Sequence, residues 1–230
     1  MLSIFTIIFT LISFSVSAQI VASDMELRFS AKEKALKNII ISNTSKTSPF
    51  AVNTQVVELI NPGEKEPQYV PSNKIFVIPP QFTLTPEGQR KVRLVSNVTP
   101  SSKERIFKVR FTPSITKKEV SESTDNITPK IQILTGVGIL ASIAPKNPKE
   151  NLIWERDESG IKFTNNGNFN VVIARKEKCL KGVCYQIPGK RLYTNASWYL
   201  KLPEPLRFKP VKLEVFTNGR PKEVTVPYEY

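Results

Sequence analysis

The 230-residue chain contains no histidine, and it has only two cysteines, two methionines and two tryptophans. Without an imidazole there is no Ser-His-Asp triad, no His-activated cysteine nucleophile and no HExxH zinc site. Phosphate-binding loops are missing as well. No G-x-x-x-x-G-K-[ST] sequence occurs, and Gly136-Val137-Gly138 lacks the third glycine of a dinucleotide loop. Carboxylate-only hydrolysis needs two acidic side chains facing one cleft. Glu58, Glu64 and Asp157 fall at turns or strand edges with nothing in the sequence to pair them. The chain therefore reads as a non-enzyme that calls for neither metal nor cofactor.

Acidic residues are outnumbered: 20 Asp and Glu stand against 33 Lys and Arg, for a formal net charge of +13. Such a balance favours acidic partners, nucleic acid or anionic membrane. The bases are dispersed in pairs such as Arg90-Lys91 and Lys117-Lys118. A nucleic-acid binder concentrates them with aromatics on one face, so we expect no nucleic-acid partner. Solvated faces and one partner with an acidic end account for the charge.

Long apolar runs are also rare. Leu2–Phe14 is apolar and charge-free, and Val16-Ser17-Ala18 has the small-x-small form of a cleavage site, with Gln19 as the mature start. No Lys or Arg precedes this segment, which leaves an N-terminal membrane anchor as the alternative. It is short for a span, which needs about 20 apolar residues. We expect residues 1–18 to be a signal peptide and the protein to be secreted or periplasmic.

In an oxidising compartment Cys179 and Cys184 are expected to form a disulfide that closes a tight loop. Zinc would need two further ligands, and the spacing is not the C-x-x-C of a redox pair.

What is abundant is β-pattern. Short alternating apolar segments are separated by Pro, Gly and Asn turns. They include Asn38–Ser42, Phe50–Ile60, Lys74–Pro79, Phe82–Leu84, Lys91–Val95 and Glu104–Thr112. Phe50, Val52, Thr54 and Val56 share one face, and Ile106, Lys108 and Arg110 alternate against Phe107, Val109 and Phe111. The one helix-like stretch, Ala31–Lys37, is too short to change the class. Pro145-Lys146-Asn147-Pro148 breaks the composition, and strand patterns resume at Leu152–Arg156, Gly160–Thr164, Asn170–Ala174, Val211–Phe216 and Glu223–Val226. The fold class is all-β: two immunoglobulin-like β-sandwiches, 19–145 and a smaller 146–230, joined by a short hinge.

Just ahead of that hinge, Ile131–Pro145 carries no charge. Its odd positions, Ile131, Ile133, Thr135, Val137, Ile139, Ala141 and Ile143, are apolar or β-branched, which marks a long strand. A continuous apolar face must be buried, within the domain or against a partner. Periodicity alone does not decide between the two. An exposed apolar edge of this kind also leads us to expect self-association of the free protein.

This layout resembles the periplasmic chaperones of chaperone–usher pilus systems, in the alternative or class 5-like branch. Ile41-Ser42-Asn43 with Pro49-Phe50 looks like the family's second strand and the turn that follows. Leu84-Thr85-Pro86-Glu87-Gly88 leading to Val92-Arg93-Leu94 is similar to its Leu-x-Pro-Gly…Val-Arg-Leu segment, with Glu87 inserted. Lys103-Glu104-Arg105-Ile106-Phe107 resembles its Arg-Glu-x-x-Phe strand start, and Asn61-Pro62-Gly63, Asn165–Asn168 and Pro188-Gly189-Lys190 resemble its turns. The paired cysteines of that branch match Cys179 and Cys184.

The resemblance implies donor-strand complementation, with Ile139–Ile143 as core and Ile131–Val137 facing a partner: Ile131, Ile133, Thr135 and Val137 would complete the open groove of a pilus subunit or adhesin, which then passes to an outer-membrane usher. It also implies a first-strand Arg and a last-strand Lys anchoring the subunit's C-terminal carboxylate. Arg28, displaced along its strand, is the candidate for the first. The lysine position falls at Gly138, so Lys130 or a base of the second domain would have to substitute. Arg93 and Glu104 match a family salt bridge that fixes domain orientation. The alternatives are a β-sandwich pilus subunit or adhesin, or a secreted carbohydrate-binding module. Against the first, Asp24, Glu26 and Arg28 spoil an N-terminal donor strand. Against the second, there is no aromatic platform.

Overall fold

The computed structural model describes residues 19–31, 35–64, 66–99, 101–115, 134–180 and 182–228. Among these residues, ten strands belong to the first unit: β1 (Ile20–Ala22), β2 (Glu26–Phe29), β3 (Leu36–Asn43), β4 (Phe50–Ile60), β5 (Gln68–Pro71), β6 (Ile75–Ile78), β7 (Gln81–Leu84), β8 (Gln89–Ser96), β9 (Arg105–Ile115) and β10 (Val137–Ile143). Nine more form the second: β11 (Leu152–Arg156), β12 (Gly160–Asn165), β13 (Val171–Ile173), β14 (Lys176–Leu180), β15 (Val183–Ile187), β16 (Lys190–Leu192), β17 (Ser197–Lys201), β18 (Val211–Thr217) and β19 (Arg220–Val226).

Two sheets pack face to face in the first unit. One runs β1-β3-β8-β6, the other β2-β10-β9-β4-β5, with β7 also pairing to β4. Period-two alternation explains the core: Ile39 and Ile41 of β3 and Val92 and Leu94 of β8 meet Val52, Phe107, Val109, Phe111, Ile139 and Ala141 from the opposite layer. Phe50, Val52, Thr54 and Val56 do share the inward face of β4, opposite Ile115, Pro113, Phe111 and Val109 of β9. The helix-like stretch does not persist, since Leu36 and Lys37 already belong to β3.

A separate core, built on Ile161, Phe163, Val171, Leu200, Leu213 and Val215, fills the second unit between sheets β11-β12-β17 and β16-β13-β18-β19. Hairpin β18–β19 turns at Asn218-Gly219, both with positive φ (47° and 76°), the conformation that a tight two-residue hairpin demands. Hairpin β14–β15 stands as its own two-stranded ribbon, with Cys179 opposite Cys184 and a disulfide between them. Arg156, on edge strand β11, ties down the loops beneath this sandwich. It donates to the main-chain oxygens of Leu206, Arg207, Lys209, Val226 and Pro227.

Candidate functional site

The strand register puts a distinct set of side chains on the outer face of the β2-β10-β9-β4-β5 sheet, away from the first core. In β10 these are Gly138, Leu140 and Ser142, lying opposite Arg110, Lys108 and Ile106 of β9. On one flank β2 adds Glu26 and Arg28, beside Leu140 and Ser142. On the other, β4 adds Gln55, Val57 and Leu59, and β5 adds Tyr69 opposite Leu59. This face looks into the cleft between the two units.

The hinge end of the face is bolted to the second unit. Asn170 donates its N–H to Glu104 Oε2 (2.7 Å) and its amide Nδ2 to both carboxylate oxygens (2.7 Å each). Arg191 bridges Asn170 Oδ1 and the Glu26 carboxylate, and Arg28 Nη2 reaches Glu26 Oε1 at 2.8 Å. Glu104 N–H bonds the Asn168 carbonyl, and Asn168 Nδ2 bonds that of Ser102. A continuous chain Arg28–Glu26–Arg191–Asn170–Glu104 thus crosses the boundary.

The expected Arg93–Glu104 pair does not form. Although β8 and β9 follow one another in sequence, they lie in opposite layers, and Arg93 sits on the exposed face of β8 between Asn38 and Ile78. Asn170 takes the carboxylate instead, and among the described residues Glu26–Arg191 is a charged link between the units.

Burial pushes the Glu104 carboxyl up, against the pull of its Asn170 hydrogen bonds. At Glu26 burial acts in the same sense, but the guanidinium groups of Arg191 and Arg28 overcome it and hold the carboxyl below the usual range. The two therefore act oppositely on stability. The Glu26 contribution is present above about pH 4.5, its ordinary value, and is lost as pH falls through its lowered folded pKa. Burying ionised Glu104 costs stability above its raised pKa, and that cost relaxes in acid. Glu26→Gln is expected to lose about 1–2 kcal/mol at neutral pH, because the pair is partly solvent-screened. The variant should also show a smaller further loss in acid than wild type. Urea unfolding at neutral and acid pH measures both, and parallel pH profiles would refute the assignment.

Beyond this network the cleft face is basic and unneutralised. Lys108 and Arg110 are half-buried and have no carboxylate partner among the described residues. The carbon chain of Lys108 lies across Gly138: a Cβ there would meet Lys108 Cε at 2.7 Å. Tyr69 forms a wall beside both bases, its ring centroid 6.0 Å from Lys108 Nζ and 5.7 Å from Arg110 Cζ.

Of the donor-strand residues expected from sequence, Ile131 and Ile133 lie outside the described residues, as does Lys130. Thr135 is exposed ahead of β10 and donates its N–H to Gln19 Oε1 at 3.1 Å. Val137 opens β10 opposite Phe111 and, like Leu134, packs against the first core. Arg28 lies at the hinge end of the face, engaged with Glu26. Glu177, Cys179 and Cys184 gather within 4.8 Å, but both sulfurs are in the disulfide, so this group offers one carboxylate to a metal. Sequence reading missed Glu26, Asn170 and Arg191 as site residues, since they meet only across the cleft. For Lys108 and Arg110 the alternation in β9 was the available signal.

Residues 19–146 match the family described as pili and flagellar-assembly chaperone, PapD N-terminal domain. Among solved structures, the class 5 fimbriae chaperone CfaA is 17% identical, with 92% of this chain and 99% of that one covered and a TM-score of 0.59. For the E. coli chaperone DraB the values are 16%, 91%, 96% and 0.62. For a chain of the Salmonella enterica SafA pilin–SafB chaperone complex they are 16%, 93%, 99% and 0.62. At these identities the likeness is one of fold. No curated protein matches the chain in sequence. With more than half of its length covered by the family pattern, and a two-sandwich fold to match, the chain belongs to the pili and flagellar-assembly chaperones.

Proposed function

We propose that this chain is a periplasmic chaperone that holds pilus subunits, including a tip adhesin, by lending them the segment that begins at Ile131 and runs up to β10, and that it passes them to an outer-membrane usher. The observation that carries this reading is the division of the Ile131–Ile143 strand. Its downstream half, Ile139, Ala141 and Ile143, closes the chain's own core. In sequence, Ile131, Ile133 and Thr135 upstream repeat the same β-branched alternation. The edge of β10 not taken by β9 is occupied by β2 only from Leu140 onward, so a partner strand can pair upstream of that point. A complete first sandwich argues against the alternative that the chain is itself an incomplete subunit.

The subunit's terminal carboxylate needs a cation at the cleft end of that open lane. Gly138 provides none, and Lys108 of the neighbouring strand crosses the bare Gly138 backbone to fill the place. Lys108, backed by Arg28, is our assignment for the anchor in place of Lys130. On the other layer, Leu36, Val95 and Phe76 align across β3, β8 and β6 as an apolar row facing solvent, a surface free for the usher while the cleft is engaged.

Co-expression of this chain with a pilus subunit is expected to yield a one-to-one periplasmic complex, with the subunit degraded when expressed alone. Equal subunit recovery with and without the chain would refute the reading.

A further inference from the structure

We infer that Glu26 competes with the subunit's terminal carboxylate for the Arg28 guanidinium, so that the chaperone holds Arg28 back and leaves Lys108 to receive the chain end. Removing the Glu26 charge is therefore expected to tighten subunit holding. The inference rests on the subunit-holding reading above and adds to it a residue that limits affinity.

Glu26 stands where the open lane beside β10 ends. The main chain of Met25 already accepts the Leu140 N–H at 2.9 Å, and from Glu26 onward β2 runs parallel to β10. A partner strand whose C terminus lies at the cleft end of the lane also runs parallel to β10, so its chain end points at the start of β2. On the cleft face the side chain met there is Glu26, level with Leu140, the residue that Lys108 faces from β9. Arg28 lies two residues further along the same face, and its Nη2 reaches back to Glu26 Oε1 at 2.8 Å. Its stem rests against the β18–β19 hairpin tip, where a Cβ on Gly219 would lie 3.5 Å from Arg28 Cδ. The guanidinium thus turns toward the lane end and meets a carboxylate of its own chain before any from a partner.

The balance of charge has the same consequence. Arg28 and Arg191 share the Glu26 carboxylate, and Glu104 lies next in the same chain of contacts through Asn170. Two guanidinium groups stand against two carboxylates, so this end of the cleft is balanced before a subunit arrives. An incoming carboxylate gains the Lys108 charge but is set beside that of Glu26, and like charges brought together at a partly desolvated interface oppose binding. Glu26→Gln keeps the size of the side chain and removes its charge. Arg28 is then free to offer the chain end a second, forked set of hydrogen bonds.

The probe is a synthetic peptide of the C-terminal strand of a subunit that co-purifies with the full chain from its own periplasm, made as the free acid and as the C-terminal amide. Glu26→Gln is expected to bind the acid peptide about tenfold tighter than wild type, although its own thermal transition falls, and to bind the amide peptide unchanged. A purely structural Glu26 would give lower stability and looser binding together. Adding Arg28→Gln to Glu26→Gln should cancel the gain. A Glu26→Gln protein that binds the acid peptide no tighter, or that gains equally with the amide, overturns the inference and leaves the anchor standing. In wild type the Arg28 guanidinium resonance should shift with the acid peptide and not with the amide. A resonance unmoved by the acid overturns the inference even where Glu26→Gln does not fold. Recovery of no subunit, or equal wild-type affinity for acid and amide peptides, overturns the anchor reading and the inference with it.

Discussion

Replacing Ile131 and Ile133 together by Asp is expected to abolish recovery of any co-expressed pilus subunit while leaving the chaperone folded. Both residues occupy odd, β-branched positions of the uncharged Ile131–Pro145 sequence, upstream of β10. If they fill a subunit's groove, each contributes about 1.5–3 kcal/mol by burial. A carboxylate in the same place adds a desolvation penalty of at least a further 1–3 kcal/mol. Two such changes remove about 5–12 kcal/mol, a loss of at least about several thousandfold in affinity, which takes the complex below detection. The contrast with Ile139→Asp is the control. That residue is fully buried beside Val109, so the same change three steps of the alternation after Ile133 should unfold the domain rather than spare it. Affinity capture from the periplasm measures subunit yield, and thermal unfolding measures folding. Normal yield from the folded double variant would end the donor-strand reading.

The physical reason these outcomes differ along one strand was only half legible in the sequence. Period-two alternation located β4 to the residue, because Phe50 and Val52 face the first core and Pro49 and Asn61 close the ends; β11 was located as well, although its side chains are half-buried or exposed. It passed over β1 and β2, which are three and four residues long and separated by a charged bend. It also passed over β14 and β15, whose pairing rests on a polar ribbon and a disulfide rather than on an apolar stripe. The interdomain link was beyond reach: Glu26 and Arg191 are 165 residues apart, and nothing local marks them as partners. Arg93 and Glu104 show the opposite error. Two consecutive strands invite pairing, yet in a sandwich the chain crosses between layers there. Gly138 was recognisable as a gap where a lysine belonged. What fills the gap depends on the β9–β10 register, a relation of tertiary structure that alternation alone does not fix.

That register gives Lys108→Glu a large expected effect on a surface where most charge changes do little. Lys108 has no acidic partner of its own to lose among the described residues, and it stands on the outer face of β9, so the fold should tolerate the change. Its effect should instead appear on the subunit. Losing one partner of a desolvated ion pair at an interface costs about 2–4 kcal/mol, or about 30- to 1,000-fold in affinity, and a carboxylate facing the subunit's own carboxylate adds repulsion. Two accompanying signatures separate anchoring from a general weakening of the basic face. A subunit whose C terminus is amidated or extended by one residue should bind wild type as poorly as it binds the variant. Lys37→Glu, a charge reversal of the same size on β3 in the other layer, should leave affinity within about twofold, since an exposed charge so far from the cleft is largely screened. Equal losses from Lys37→Glu and Lys108→Glu would reduce the cleft to a diffuse electrostatic attraction. A loss confined to Lys108, and absent for the blocked C terminus, makes the lysine that crosses Gly138 the point where the subunit's chain end is held.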